Sequence, residues 1–315
     1  MEKLKALLLT QGMHGMVSQV EGMAKALNTE FSHKTVRLNF PWNLMPPKFT
    51  PISEVVLKDN INIIEDKIPD LVISCGRKSV VPSILLKKKN PQIFTIHIQD
   101  PKVSFKNFDA IIAPEHDNLK ADNVYSSQGA IHYITESEID KAKSYLRDKV
   151  KSKKIISLIL GGPNKYYNFD SGQLIKIFNQ IKSEFISRGY EAIVIPSMRT
   201  PKKSIELANK EMGASGYVVN NVDKQAYLSA YALANYVVVT CDSTSMISEA
   251  ATSGKPIFVA HMKAKRNNYR FKKFFELFKT MGITRDLGEK VETWTYKKHD
   301  EAARIATIIK TIIKN

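Results

Sequence analysis

The stretch Val237–Ala260, VVVTCDSTSMISEAATSGKPIFVA, constrains the fold more than any other part of the chain. Val237–Thr240 is a short, apolar, β-branched run, which predicts a buried strand. Cys241–Ser245 is small and polar, with Asp242 and Ser243 suited to cap a helix. Met246–Ser253 has helical character, and Gly254 followed by Pro256 ends it. Ile257–Ala260 is a second apolar strand. The whole reads as one strand–helix–strand unit with a hydroxyl-rich turn at the carboxyl end of its first strand. Free N–H groups at such a helix start attract anions, phosphate above all. Phosphate contacts are therefore expected at Asp242, Ser243, Thr244, Ser245 and Met246. Glu249, one turn further in, is a candidate acceptor for ribose hydroxyls. A capped helix with a solvated Glu accounts for the same pattern.

Similar apolar runs recur with helical stretches between them. Ala6–Leu9, Leu71–Ser74, Ile93–Ile98 and Ala110–Ala113 lie in the first half. Ile155–Leu160, Ala192–Ile195, Tyr236–Thr240 and Pro256–Ala260 lie in the second. Such alternation predicts an α/β chain with two parallel sheets covered by helices. The junction is expected in Glu136–Lys154, a charged amphipathic stretch, giving domains over 1–145 and 146–298. Residues 299–315 read as a last helix, with Ala303, Ile305, Ile308 and Ile312 apolar. Asn39–Thr50, NFPWNLMPPKFT, is Pro-rich and aromatic and reads as a loop.

The 315 residues suffice for two domains, each with its own core. No apolar run approaches the roughly 20 residues that span a bilayer. The N-terminal MEKLKALLLT is basic then apolar, but the apolar part is too short for a signal peptide and reads as a first strand. A cytoplasmic protein is expected, with peripheral contact at the inner membrane face an option. Cys75 and Cys241 are the two cysteines, which argues against a disulfide framework. No Cys/His cluster has zinc-site spacing and no DxD-like carboxylate pair stands at a credible site, so no metal and no cofactor is invoked. The net charge of +16 admits nucleic acid, anionic lipid or phosphorylated substrates. Its even spread of Lys reads more simply as a solvated surface, which disfavours nucleic acid.

Ligand chemistry is sought where strands end. Gln11–Gly15, QGMHG, follows the first strand, with Gly12 and Gly15 permitting close backbone approach and His14 a candidate base or an exposed loop His. Arg77, after Cys75 and Gly76, can fork to a phosphate or pair with a neighbouring acid. Gln99 and Asp100 follow another strand, with Asp100 a base, an acceptor ligand or a turn residue. Glu115 and His116, in PEHD, can tune each other and deprotonate a hydroxyl, or merely start a helix. His132 is a weaker candidate. In the second half, Gly161, Gly162 and Lys165 form a phosphate-loop candidate without Walker A spacing. Ser197 and Arg199, in PSMRTP, are expected to contact a base or phosphate, or to belong to a Pro-stiffened loop. Lys263–Lys279 mixes basic residues with Phe271, Phe274, Phe275 and Phe278 at helical spacing. It reads as a core helix, with membrane or single-stranded nucleic acid as alternatives.

Two resemblances bear on this pattern. The order Ser243, Ser245, Glu249, Ala250, Gly254, Pro256 resembles the donor-nucleotide motif of GT-B glycosyltransferases, above all the N-acetylglucosaminyltransferase that completes the lipid precursor of peptidoglycan. It implies the diphosphate on Ser243–Met246 and the ribose on Glu249. Across nearly the whole chain, TQGMHGMVSQVEGMAKAL, ISCGRKSVVPSILLKK, IQDPK, FDAIIAPEHDNL, LGGPNKYYNFD, PSMRTP and MGITRDL resemble the mitochondrial fission protein family. Its bacterial members are often labelled predicted nucleoside-diphosphate-sugar epimerases, and its fold resembles GT-B. Together these imply two Rossmann-like domains facing a cleft, the last helix crossing back to the first. The expected activity is metal-independent glycosyl transfer from a nucleotide sugar to an acceptor left open, a lipid-linked one included. Asp100, Glu115 or His116 would supply the base, with Gly12, His14, Gly15, Arg77 and Gln99 on the acceptor side. A sugar epimerase or a non-catalytic scaffold with a retained cleft are the alternatives.

Overall fold

The structure, a computed structural model, describes residues 3–59 and 68–313. The chain divides into two compact units, Met1–Tyr133 with Asp300–Asn315, and Ile134–His299. In the first, β1 (Lys5–Thr10), α1 (His14–Leu27), β2 (Glu30–Thr35), β3 (Leu71–Cys75), α2 (Val80–Lys89), β4 (Phe94–Ile98), β5 (Ala110–Pro114) and β6 (Val124–Ser127) follow in order. Their sheet is all parallel, in the order β2-β1-β3-β4-β5-β6.

The second unit holds α3 (Glu136–Lys141), β7 (Ile155–Leu160), α4 (Ser171–Glu184), β8 (Glu191–Pro196), α5 (Lys202–Met212), β9 (Gly216–Val218), α6 (Lys224–Leu233) and β10 (Tyr236–Thr240). It continues with α7 (Thr244–Ala251), β11 (Ile257–Ala260), α8 (Tyr269–Thr280) and β12 (Thr284–Asp286). Its sheet is again parallel, in the order β12-β11-β10-β7-β8-β9. Read from β9, this is the doubly wound 3-2-1-4-5-6 order. Strand ends stay level, Leu160 opposite Pro196 and Thr240 opposite Ala260, so the loops after β7, β8, β10 and β11 leave one edge together.

Among the described residues, the eight strands expected from apolar runs are the inner four of each sheet. The four the sequence did not offer, β2, β6, β9 and β12, are the edges. Inner strands are covered by helices on both faces and must be apolar throughout, whereas an edge strand tolerates polar residues. β2, EFSHKT, has no buried residue.

The unit boundary differs from the expected 145/146. α3 begins with a capping box of Thr135 and Glu138 and packs on α6. Just after it, the Leu146 amide donates to Ser229 Oγ at 3.0 Å and the Tyr145 hydroxyl to Asp223 at 2.7 Å. These contacts bind residues 134–150 to the second unit. The last helix, α9 (Glu301–Ile313), joins the first unit, burying Ala302, Ile305, Ala306 and Ile309 against α1. Of the expected stripe Ile305 is buried and Ile308 and Ile312 pack against the same core, whereas Ala303 is exposed. Glu301, 1% exposed, accepts the Gln128 amide at 2.8 Å and pairs with Arg304. No helix among the described residues is long and apolar enough to cross a membrane.

Candidate functional site

β7 and β10 are neighbours in the second sheet, at the point where its strand order reverses. Loops diverge there, and open α/β sheets hold ligands in the resulting crevice. α7 starts at this point. Ser243 is its N-cap, accepting the Met246 amide at a long 3.4 Å. Thr244 and Ser245 are its first helical residues, so their amides have no intrahelical partner. They line a cavity of about 360 Å³ together with Ser243, Lys165 and Arg199. Asn164, Tyr166 and Phe271 complete the wall, beside Asp242. Asn164 holds its loop in shape, accepting the amides of Tyr166 and Tyr167 and donating to the Asp242 carbonyl at 2.9 Å.

Asp242 is the hub of this edge. It is 2% exposed. Its carboxylate accepts the Gly162 amide at 2.9 Å, the Thr240 hydroxyl at 2.7 Å and the Arg199 guanidinium at 2.8 Å. Burial raises its pKa above the usual carboxylate value, with Arg199 opposing the shift. Arg199 also donates to the Gly162 carbonyl at 2.6 Å, and Thr240 Oγ1 accepts the Gly161 amide at 2.8 Å. The loops after β7, β8 and β10 are thus tied together by one buried carboxylate.

This corrects two expectations. The amides of Gly161 and Gly162 are engaged inside the unit and are not offered to a phosphate. The glycines serve close packing instead: a Cβ on Gly161 would lie 2.1 Å from Asp242 Oδ2, and one on Gly162 2.0 Å from the Arg199 carbonyl oxygen. Ser197 likewise serves its own turn, its amide donating to Thr200 Oγ1 at 2.8 Å and its Oγ accepting the Arg199 amide at 3.3 Å.

Glu249 and Met246 are not among the residues lining the cavity. Met246 is buried. The Glu249 carboxylate accepts the Tyr227 hydroxyl at 2.5 Å, and Tyr227 in turn accepts from Tyr231 at 2.7 Å. Burial raises its pKa to about 7. The expected ribose ligand is thereby turned toward α6. Both thiols, Cys75 and Cys241, are buried and pushed up to about 12, which keeps them protonated and inert.

α8 divides its four phenylalanines. Phe274 and Phe278 are buried, while Phe271 lines the first cavity and Phe275 a second one of about 540 Å³. Its apolar face is therefore used largely within the unit. The second cavity holds a pair that sequence reasoning missed, His261 Nε2 and Asp286 Oδ1, 2.7 Å apart. The available signal was position, since each ends or directly follows a strand.

In the first unit, β1, β3 and β4 are adjacent, and each is followed by a residue in the left-handed region: Gly12 (φ 82°), Gly76 (φ 88°) and Gln99 (φ 86°). At Gly76 a Cβ would meet the Met16 thioether at 2.6 Å. Gln99, a non-glycine held there, reaches Gln19 Oε1 at 3.4 Å. His14 is exposed at the start of α1, edge-on to Tyr133 at 6.2 Å, and Gly15 faces open space.

Arg77 and Asp100 are committed elsewhere. Arg77 donates to the carbonyls of Asn43, Leu44 and Met45 at 2.6–2.9 Å and clamps that loop rather than facing a ligand. Asp100 closes a turn, accepting the Lys102 amide at 2.9 Å and its ammonium at 2.5 Å. Glu115 is exposed in a short turn after β5. The side chain of His116 lies outside the described residues. His132 is buried beneath α1, where a Cβ on Gly22 would lie 2.3 Å from its carbonyl.

Comparison with known proteins places this geometry. The family described as mitochondrial fission ELM1 matches residues 14–313. An uncharacterized protein of Rickettsia prowazekii is 27% identical over 95% of this chain and 96% of its own length. The mitochondrial fission protein ELM1 of Arabidopsis thaliana is 26% identical over 77% of this chain and 63% of its own length. Among solved structures, a UDP-GlcNAc 2-epimerase from Methanocaldococcus jannaschii superposes with a TM-score of 0.54 at 14% identity, covering 98% of this chain and all of that one. The spinosyn forosaminyltransferase SpnP does so with a TM-score of 0.51 at 12% identity, covering 99% and 95%. The shared fold is the GT-B type.

Proposed function

The chain belongs to the mitochondrial fission ELM1 family, and from that premise we propose that it is a nucleotide-sugar-dependent glycosyltransferase whose donor pocket lies at the start of α7. One observation carries this reading. Thr244 and Ser245, at the start of α7, line one cavity with Lys165 and the Asp242-held Arg199 at the point where the strand order reverses. A leaving nucleoside diphosphate gains negative charge, and preorganised amides with two cations stabilise charge where it develops. Arg199 is already oriented by Asp242, so it needs little reorganisation. The enzymes of shared fold are named for a UDP-sugar and for glycosyl transfer, which agrees with such a donor. The proposal invokes no metal. Glu115 and His116 remain the candidate bases in the first unit, since Asp100 is bound to Lys102.

The test is calorimetric titration and thermal shift with UDP, GDP, CDP, ADP and their sugars. One diphosphate is expected to raise the melting temperature. Lys165→Ala, at an exposed position, should weaken that nucleotide about tenfold without changing the unliganded melt. Labelled nucleotide sugar then separates the chemistries. Nucleoside diphosphate released with sugar passed to an acceptor supports transfer, and recovery of an epimerised nucleotide sugar replaces transfer by epimerisation. No shift with any nucleotide overturns the donor pocket and favours a scaffold.

A further inference from the structure

The Pro-rich loop that the site does not use has an unusual surface. Phe40 is 77% exposed, Leu44 70%, Phe49 63% and Val55 68%. Met45 and Ile52 are also exposed. Large apolar side chains gathered in one short segment mark an interaction surface.

The carbonyls at the tip of the loop, residues 41–47, are all paired within the unit. Pro41, Pro46 and Pro47 have no N–H to satisfy. The Pro41 and Trp42 carbonyls accept from Leu44 and Met45, and those of Pro46 and Pro47 from Phe49 and Thr50. The three between them, of Asn43, Leu44 and Met45, accept from the Arg77 guanidinium. Asn39 Nδ2 ties the base of the loop to the Val55 and Leu57 carbonyls, each at 3.0 Å.

A loop tip that needs no water for its carbonyls can enter a medium that offers little, with residues 48–52 left at the hydrated boundary. It presents no unpaired carbonyl over residues 41–47 for a protein partner to read, so contact would be by undirected apolar burial. Among the described residues, the unpaired charge beside it is positive. Both carboxylates of the segment are paired, Glu54 with Lys89 and Asp59 with Arg37. Among the described residues, Lys48 and Lys58 have no carboxylate partner. Exposed apolar side chains with Lys48 set 4.6 Å over the Phe49 ring match an acyl boundary beneath anionic headgroups. We propose that residues 40–55 form a docking surface for an anionic lipid bilayer, independent of the donor pocket in the other unit.

Flotation of the full chain with vesicles of phosphatidylcholine, with and without phosphatidylglycerol, tests this. Binding is expected on the mixed vesicles and should fall at high salt. The double variant Phe40→Ser/Phe49→Ser should lower partition about tenfold or more, with the melting temperature and any nucleotide shift unchanged. Lys48→Glu/Lys58→Glu should remove the preference for phosphatidylglycerol. A second readout leaves the loop intact: in a Trp294→Phe background, brominated lipid should quench Trp42. Absence of wild-type binding, equal partition of the serine variant, or unquenched Trp42 overturns the proposal. So does a wild-type dimer that the serine variant converts to monomer, which would give this surface to a second copy of the chain.

Discussion

Arg77 and Arg199 each follow a strand of a parallel sheet, and in the sequence they carry the same promise. In the second unit Arg199 is held by a buried carboxylate and lines a cavity. In the first unit Arg77 finds no such carboxylate among the described residues and bonds three carbonyls of a neighbouring loop. The two edges differ in the same way. The second is cross-braced by Asp242, whereas the first is shaped by left-handed residues after β1, β3 and β4. A strand-end arginine thus faces a cavity here where a buried carboxylate aims it, and clamps a loop where carbonyls do.

The largest effect expected from breaking this contrast is at Arg199. Arg199→Ala leaves Asp242, with 0% side-chain exposure, without its cation, and should destabilise the second unit by about 3–5 kcal/mol. Arg77→Ala frees carbonyls that water can reach and should cost about 1 kcal/mol, leaving nucleotide affinity unchanged. Equal losses in denaturant melts would erase the distinction. Next is Gly162→Ala, whose methyl meets a backbone oxygen at 2.0 Å, with a cost of about 3 kcal/mol read as a lowered melting temperature.

A third prediction concerns pH. Glu249 has a folded pKa of about 7 against 4.5 unperturbed. Between these values the unfolded chain has lost the proton that the folded chain keeps. Stability therefore falls as pH rises from about 4.5 to about 7 and is flat above. Glu249→Gln keeps an acceptor for Tyr227 and removes that slope. At pH 8 the variant should be the more stable, by on the order of 2 kcal/mol, in urea melts across this range. A variant that follows the wild-type pH profile would place the carboxylate in water instead. The smallest effect is at Gly15, helical and with nothing within 4 Å of an added Cβ, where Gly15→Ala should stabilise by about 0.5–1 kcal/mol in the same melts.

Much of the fold was legible. The inner strands announce themselves because burial on both faces demands an unbroken apolar run, as in VVVT and IISLIL. The helix start at Ser243 and the stop near Gly254 (φ 69°) were equally local. The edge strands were silent, since half-solvated pairing leaves little compositional trace. At the site, Ser243, Thr244, Ser245, Lys165 and Arg199 were found and do share one cavity. The functions expected of Gly161, Gly162 and Glu249 were misread, because their hydrogen-bond partners lie far away in sequence or on another helix.

By itself, then, the sequence determined two α/β units, their inner strands and the anion-suited start of α7. Each follows from the polarity and conformational freedom of residues adjacent in the chain. Tertiary structure decided which groups remained available to a ligand. Hydrogen bonds between residues as far apart as Gly162 and Asp242 form only when two strand ends meet at one edge. Once formed, they withdraw from solvent the polar atoms that a local reading leaves exposed.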